Sequence, residues 1–281
     1  MKSPLDDISL KVTDISLSSD ATMNQGANSE LCTLHSTLKK MFLAVDKPAR
    51  ITSFDVIRIF KRHFPGQKIG HSGTLDPMAT GLMILALDKD TKNLTTIIGQ
   101  DKSYVATIDF SKTTDTRDME VWKEITSYEL RITNGKIKGI EMENGTVEAP
   151  TLPEITRKLD KLIPEYLLPL PAFSAKKREG KRSYESARKG NIIEENKLMK
   201  THNYEILRYE FPLLQIKVTV GKGTYIRSIA YRLGQQLGIG GTLIQLRRMS
   251  IGDWDIEKIP DWEELHNTYK EKEEIIRFAK L

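Results

Sequence analysis

The run His71-Ser72-Gly73-Thr74-Leu75-Asp76-Pro77-Met78-Ala79-Thr80-Gly81 sets one carboxylate in a tight turn. Gly73 and Gly81 flank Asp76 and Pro77 follows it at once, a composition that fixes an unusual backbone path. No second acid stands beside it. Paired carboxylates are the mark of hydrolytic acid–base work, whereas a single rigid one suits nucleophilic attack on a carbon centre. Asp-Pro is also an ordinary turn pair in which the Asp merely caps the next element, and the dipeptide alone favours that plainer reading. A second concentration of chemistry lies at residues 176–189. There Lys176, Lys177, Arg178, Lys181, Arg182, Arg188 and Lys189 face only two acids, with Tyr184 among them. Such a run is by default a solvated face. Together with Arg58, Lys61, Arg62, Arg247 and Arg248 it would also suit a phosphate backbone, with Lys47 and Lys92 as weaker candidates.

These groups need elements to position them. Phe42-Leu43-Ala44-Val45 reads as a short apolar strand broken by Asp46-Lys47-Pro48. Thr52-Ser53-Phe54-Asp55 has the spacing of a capping box and predicts a helix to Phe64, ended by Pro65-Gly66. The apolar run Leu82–Leu87 fits a buried strand, though a buried helix would share the pattern. Tyr104, Ala106, Ile108 and Phe110 alternate on one face of a strand. Asn134-Gly135 and Asn144-Gly145 are hairpin signals bracketing a strand from Lys136 to Glu143. Leu214–Val220 alternates as well and ends at Gly221-Lys222-Gly223. Thr224 then offers a cap for a helix to about Leu237, closed by Gly238. Strands and helices mix without regular βαβ alternation, so the expected class is α+β with a largely antiparallel sheet.

Composition narrows the setting. The chain has 281 residues and a net charge of +5, but residues 1–38 carry −3 and the remainder +8. A basic body with an acidic tail favours a polyanionic partner, nucleic acid first, against the plain alternative of solubility. Cys32 is the only cysteine. It can form no intramolecular disulfide and no cysteine metal site, which points to a reducing compartment. No run of about 18 apolar residues is present, so no membrane span is expected. Neither a signal nor a transit peptide is expected at the N-terminus. The domains expected are a disordered tail over 1–40, a folded body over 41–258 with a hairpin insertion at 127–150, and a polar helical extension over 259–281.

The eleven residues around Asp76 resemble the signature motif of the TruB family of pseudouridine synthases, roughly H-[ST]-G-[TA]-L-D-P-x-A-[TS]-G, at every fixed position. Other segments follow the family's order from about residue 42 to 250. They are Leu43-Ala44-Val45-Asp46-Lys47-Pro48 with Thr52-Ser53-Phe54-Asp55-Val56; Lys102-Ser103-Tyr104; Thr114-Asp115-Thr116-Arg117-Asp118; and Phe173-Ser174-Ala175 through Gly190. Gly223-Thr224-Tyr225-Ile226-Arg227-Ser228 and Leu246-Arg247-Arg248 complete the series. The resemblance implies the pseudouridine synthase fold, a mostly antiparallel mixed sheet flanked by helices with an active-site cleft. It implies an isomerase that converts the T-loop uridine of tRNA, position 55, to pseudouridine after flipping it out, without metal or organic cofactor. Asp76 would be the essential nucleophile, attacking sugar or base, or else the base that removes a sugar proton. Arg227 would be its carboxylate partner; on spacing alone it reads as a surface helix arginine. Tyr104 would stack on the uracil, where a strand tyrosine otherwise packs in the core. Tyr225 and Leu246 would line the pocket, and His71 would contact the T-loop and help fill the space left by the extruded base. Lys47, Lys92, Lys177, Arg182, Arg188, Arg247 and Arg248 are the candidates for backbone contacts. The expected partner is the T-arm of tRNA, met by a cytoplasmic monomer with no membrane and no guide RNA. A tRNA-folding helper that needs the basic wall and His71, but not Asp76, is the competing reading.

The chain also departs from the pattern. Ala49-Arg50 stands where the family has x-Gly, so that turn must manage without a glycine. Glu120 replaces a Gly, Leu168 a Gln, and Phe173 a Tyr, the last losing a hydroxyl. Only about thirty residues follow Leu246-Arg247-Arg248, fewer than the family's C-terminal RNA-binding PUA domain usually needs, so none is expected.

Overall fold

In the computed structural model the described residues are 42–114, 124–127, 129–133, 136–142, 145–169, 177–178, 181–182 and 196–258. The expected tail over 1–40 and the C-terminal extension over 259–281 lie outside them, as do Glu120, Phe173 and Arg188. In chain order the elements are β1 (Phe42–Lys47), α1 (Ser53–His63), β2 (Ile69–His71), β3 (Thr80–Leu87), α2 (Leu94–Gly99) and β4 (Lys102–Asp109). Next come β5 (Lys112–Thr114), β6 (Glu124–Ser127), β7 (Glu129–Thr133), β8 (Lys136–Met142), β9 (Gly145–Glu148), α3 (Leu152–Asp160) and β10 (Glu165–Pro169). The series ends with β11 (Lys177–Arg178), β12 (Lys181–Arg182), β13 (Asn196–Glu210), β14 (Leu213–Val220), α4 (Ile226–Leu237), β15 (Thr242–Ile251) and β16 (Trp254–Asp255).

Nine strands form the main sheet in the order β1-β3-β15-β4-β14-β13-β10, with β2 also paired to β3 and β16 to β15. Every pairing is antiparallel except β3 with β15, where Thr80 and Gly81 lie beside Arg247 and Arg248. The class is therefore α+β with a mostly antiparallel mixed sheet. The run that could not be told from a helix by pattern is β3, and its position explains the ambiguity. Met83, Leu85 and Leu87 enter the main apolar cluster, while Leu82, Ile84 and Ala86 enter a second cluster with Leu94, Ile97 and Ile251. Successive side chains point to opposite faces of a strand, and both faces of β3 are covered, so no polar alternation survives. The main cluster also takes Tyr104, Ala106 and Ile108 from β4 and Leu214, Ile216 and Val218 from β14. Val56 and Phe60 of α1, Ile155 and Leu159 of α3, and Ile229 and Leu233 of α4 close over it.

The helix ends obey local chemistry. Thr52 caps α1: Asp55 N–H donates to Thr52 Oγ1 (3.0 Å) and Thr52 N–H donates to Asp55 Oδ2 (2.9 Å), the reciprocal pair read from the sequence. Helix α4 ends at Gly238, whose φ of 72° is left-handed. Its start differs from expectation. Tyr225 is the cap residue with no side-chain cap bond, and the Thr224 hydroxyl donates instead to Lys200 O (3.1 Å), tying the preceding loop to β13. Strand β8 is the middle of a separate three-stranded antiparallel sheet with β7 and β9, in the region expected to carry a hairpin. Leu168, found where the family has Gln, is fully buried on β10, where an amide would have to find partners.

Candidate active site

Asp76 sits on the connection between β2 and β3, and the structure fixes that connection from several sides. Ser72 begins it. Its N–H donates to Ile84 O (2.8 Å) and its Oγ accepts from Ile84 N–H (3.0 Å), so the loop starts locked to β3. Ser53, the first residue of α1, grips the residue before the aspartate. Leu75 N–H donates to Ser53 Oγ (2.8 Å) and Ser53 O–H donates to Leu75 O (3.1 Å). Ala79 N–H donates to Asp76 O (2.9 Å), closing the turn, and Arg50 N–H donates to Pro77 O (2.9 Å). Leu75 and Ala79 are buried in the main cluster, so the turn is anchored by apolar side chains on both sides of the carboxylate.

The two glycines of the motif have different causes. Gly73 has a φ of 131°, a conformation open to glycine alone among ordinary residues. Gly81 has a φ of 104°, and a Cβ there would lie 2.3 Å from Arg248 O and 2.6 Å from Arg248 N. It is demanded by the close approach of β15 as much as by its backbone angle.

Opposite the turn stands Arg227, in the first turn of α4. Its Nη2 donates to Asp76 Oδ1 (3.1 Å) and its Nε lies 3.0 Å from Oδ2 as a second ion-pair contact. The arginine side chain is only 5% exposed and the aspartate 31%. One hydrogen bond and one ion-pair contact hold the carboxylate in one orientation while its 31% exposure leaves an edge open to the outside. Arg227 is followed by the buried Ser228, whose hydroxyl donates to Pro169 O (2.5 Å) and seats α4 against β10.

The aromatic and apolar residues named from sequence belong to the main apolar cluster or pack on it. Tyr104 on β4 and Leu246 on β15 are nearly buried members of the main cluster, and Tyr225, next to α4, packs partly buried against it. Ile226, beside Arg227, belongs to the same cluster. The Tyr225 N–H donates to Met199 Sδ (3.3 Å). His71, the last residue of β2, accepts at Nδ1 from Gly73 N–H (3.2 Å), which leaves the proton of the neutral ring on Nε2. Burial lowers the His71 pKa below its ordinary value, and the Arg248 charge adds to that. The ring is held neutral near pH 7.

Two of the cations assigned to the RNA backbone are not available for it. Lys47 is completely buried, and its Nζ donates to Pro48 O (2.8 Å), Ile51 O (2.7 Å) and Pro77 O (3.1 Å). It binds the peptide carbonyls that shape the turn before α1 and the turn carrying Asp76. Arg248 is 2% exposed and donates through Nε to Leu82 O (2.6 Å) and through Nη2 to Gly73 O (3.3 Å). Charge alone suggests phosphate contacts for both, yet both direct that charge at carbonyls. Arg247 is engaged too, through Nη1 to Asp46 Oδ1 (3.0 Å) and Nη2 to Asp46 Oδ2 (2.7 Å), but its side chain stays 40% exposed. Lys92 is exposed in the short helical turn Asp88–Lys92. Lys177 and Arg182 are register partners in the β11–β12 pair.

Ser53 and Ser72 are the site-shaping residues that sequence reading missed. In the sequence Ser53 belongs to a capping box and to the family's opening motif, and nothing local shows that its hydroxyl reaches a residue 22 positions on. The glycine expected at position 50 is replaced by an arginine that nevertheless takes the glycine's conformation, with a φ of 69°.

The chain is similar to known proteins. The family model described as TruB family pseudouridylate synthase (N terminal domain) matches residues 61–140 and 126–226. The tRNA pseudouridine synthase B of Chlorobium phaeovibrioides is 39% identical over 222 residues, covering 77% of this chain and 85% of that protein. The enzyme of the same name from Chlamydia pneumoniae is 39% identical over 225 residues, covering 80% and 88%. Among solved structures, a chain of a Cbf5-Nop10-Gar1 complex aligns with a TM-score of 0.60 at 22% identity, over 97% of this chain and 69% of its own. A chain of an H/ACA RNP bound to a substrate RNA containing 2′-deoxyuridine aligns with a TM-score of 0.55 at 22% identity, over 85% and 57%. The last two speak for the fold alone. With sequence identity of this extent across most of both chains, and the site built as described, the chain belongs to the TruB family of pseudouridylate synthases.

Proposed function

We propose that this protein isomerises a uridine of tRNA to pseudouridine, at position 55 in the T-loop, acting as a cytoplasmic monomer on bare tRNA without a guide RNA. The reaction breaks the N1–C1′ bond and forms a C5–C1′ bond; C5 gives up its proton and N1 gains one. Atoms and electrons balance within the nucleotide, so the work left to the protein is to hold the base and to stabilise a detached uracil. The observation that carries this reading is the Asp76–Arg227 pair, a single oriented carboxylate set in an apolar surround. Asp76 is the nucleophile, and Arg227 aims its carboxylate. Tyr104 stacks on the uracil, Tyr225 and Leu246 line the pocket, and an uncharged His71 contacts the opened loop. A base must leave its stack to reach such a site, and an aromatic face and apolar walls compensate the lost stacking. Lys92, Arg247, Lys177, Arg182 and Arg188 are the remaining candidates for phosphate contacts. The names of the relatives, tRNA pseudouridine synthase B, support the choice of tRNA.

The test is a map of pseudouridine in an unmodified tRNA transcript incubated with the purified protein. The product should appear at the T-loop uridine. Asp76→Asn, which keeps shape and loses the charge, should abolish it while tRNA affinity changes little. Full activity in that variant would remove Asp76 from the mechanism, and product only elsewhere in the tRNA would overturn the assignment of position 55.

A further inference from the structure

The buried Arg248 has no carboxylate in contact with it among the described residues. It donates to two carbonyls, Leu82 O in β3 and Gly73 O at the start of the turn that carries Asp76. Its backbone lies against Gly81 at the end of that same turn, closely enough that no side chain fits there. In β15 it is the direct cross-strand neighbour of Tyr104. Directly paired residues of antiparallel strands point to the same face with Cβ atoms about 4.5–5.5 Å apart. The guanidinium therefore leaves the strand beside the Tyr104 side chain and ends on the turn that bears the aspartate. A buried cation is costly unless its donors are used. Here they are used to join two carbonyls that no local interaction would join. The uncompensated charge is felt by its neighbours. Behind burial as the main cause, it helps to lower His71, and it helps to bring Lys102 down to about 8.

We propose that Arg248 is a positioning residue, which sets the distance between the ring of Tyr104 and the carboxylate of Asp76 by clamping the ends of the intervening turn. The clamp rests on the reading of Tyr104 as the stacking ring and Asp76 as the nucleophile. Its geometry demands a fork: Nε and Nη2 reach different carbonyls, and the single point donor of a lysine serves one of them at a time.

The test compares wild type with Arg248→Lys and Arg248→Met in three measurements: thermal unfolding, hydrogen exchange of the peptide covering residues 72–82, and single-turnover and steady-state pseudouridine formation. A misplacement of reacting groups by about 1 Å costs about a hundredfold in rate. Arg248→Lys should therefore fold with an unfolding temperature near that of wild type, exchange faster in residues 72–82 but not in β14, and lose about ten- to a hundredfold in kcat with KM nearly unchanged. Arg248→Met should lose more. An unchanged kcat in folded Arg248→Lys overturns the proposal. So does a lowered kcat without faster exchange in the turn, and so does failure of Arg248→Lys to fold, which would make Arg248 a folding residue only. Should wild type form no pseudouridine in tRNA, the functional reading falls while the exchange measurement still decides the clamp.

Discussion

Replacing Arg227 with Met separates what the Asp76–Arg227 pair does for stability from what it does for chemistry. Removing one partner of a fully buried ion pair costs about 3–5 kcal/mol, because the other charge is left dry. That figure does not transfer here. Arg227 is buried, but the Asp76 side chain is 31% exposed and can be hydrated when its partner goes. Removing the cation also removes its own burial cost, and Met keeps a flexible apolar stem in its place. The expected loss of stability is therefore about 1 kcal/mol, in the range of exposed pairs. The cost to the reaction is larger, since Arg227 orients the carboxylate of Asp76 through a hydrogen bond to Oδ1 and an ion-pair contact to Oδ2. Loss of one preorganised charged donor costs about a hundred- to a thousandfold in kcat, or about 3–4 kcal/mol in the transition state. The assay is release of tritium from C5-labelled uridine in tRNA under single-turnover conditions, beside urea unfolding of the same preparation. A double-mutant cycle in urea unfolding completes it: in an Asp76→Asn background, Arg227→Met should cost less stability than in wild type, because the charge it pairs with is already gone. A stability loss near 4 kcal/mol, or an activity loss no greater than the unfolded fraction explains, would refute this reasoning.

Two further outcomes follow from the backbone and from burial. Arg50 holds a φ of 69° on an exposed turn. The left-handed conformation costs a residue with a Cβ about 1–2 kcal/mol, and glycine gives back about 0.5–1 kcal/mol through its freer unfolded chain. Arg50→Gly should therefore stabilise the fold by roughly 0.5–1 kcal/mol in urea unfolding, and destabilisation would show that the arginine side chain holds the turn. His71 is held below its ordinary pKa of 6.5, chiefly by burial. A depressed folded-state pKa means that the unfolded chain binds the proton first, so the His71 contribution is complete above about pH 6.5 and is lost as pH falls toward the folded value. Wild type should lose more stability than His71→Gln between pH 7.5 and 5.5, measured by urea midpoints, and equal losses would contradict it.

Much of the site was legible because its signals are local. The capping box at Thr52 and Asp55, the left-handed Gly238 and the eleven-residue motif each need only neighbours in the chain to be read. The register of β3 against β15 is a different kind of fact. It joins Gly81 to Arg248, and no local pattern specifies which strand will lie beside which. Arg227 likewise meets Asp76 across 151 positions. Spacing alone made it a surface residue, because a buried cation at a helix start has no local rationale; its partner is supplied by tertiary structure.

The misassigned cations show that the alternation of strands sorts charges as well as apolar residues. Lys47 follows Leu43 and Val45 at intervals of two, and both of those enter the main cluster, so the same face carries Lys47 inward. Arg248 follows Leu246 in the same way, while Arg247 falls on the other face and finds Asp46. Read with that period, Leu246-Arg247-Arg248 is one half-exposed and one buried arginine rather than a basic pair. The same rule places Arg248 on the face of Tyr104, its cross-strand partner. A cation at a core-facing strand position must find acceptors inside the protein, and the nearest unsatisfied acceptors are carbonyls of irregular backbone. The turn at Asp76 supplies two of these acceptors, Pro77 O to Lys47 and Gly73 O to Arg248, beside Pro48 O and Ile51 O before α1 and Leu82 O in β3. Burying Lys47 and Arg248 and shaping the active-site turn are thus one solution: the turn supplies carbonyls that the cations need, and the cations hold a turn that regular hydrogen bonding could not.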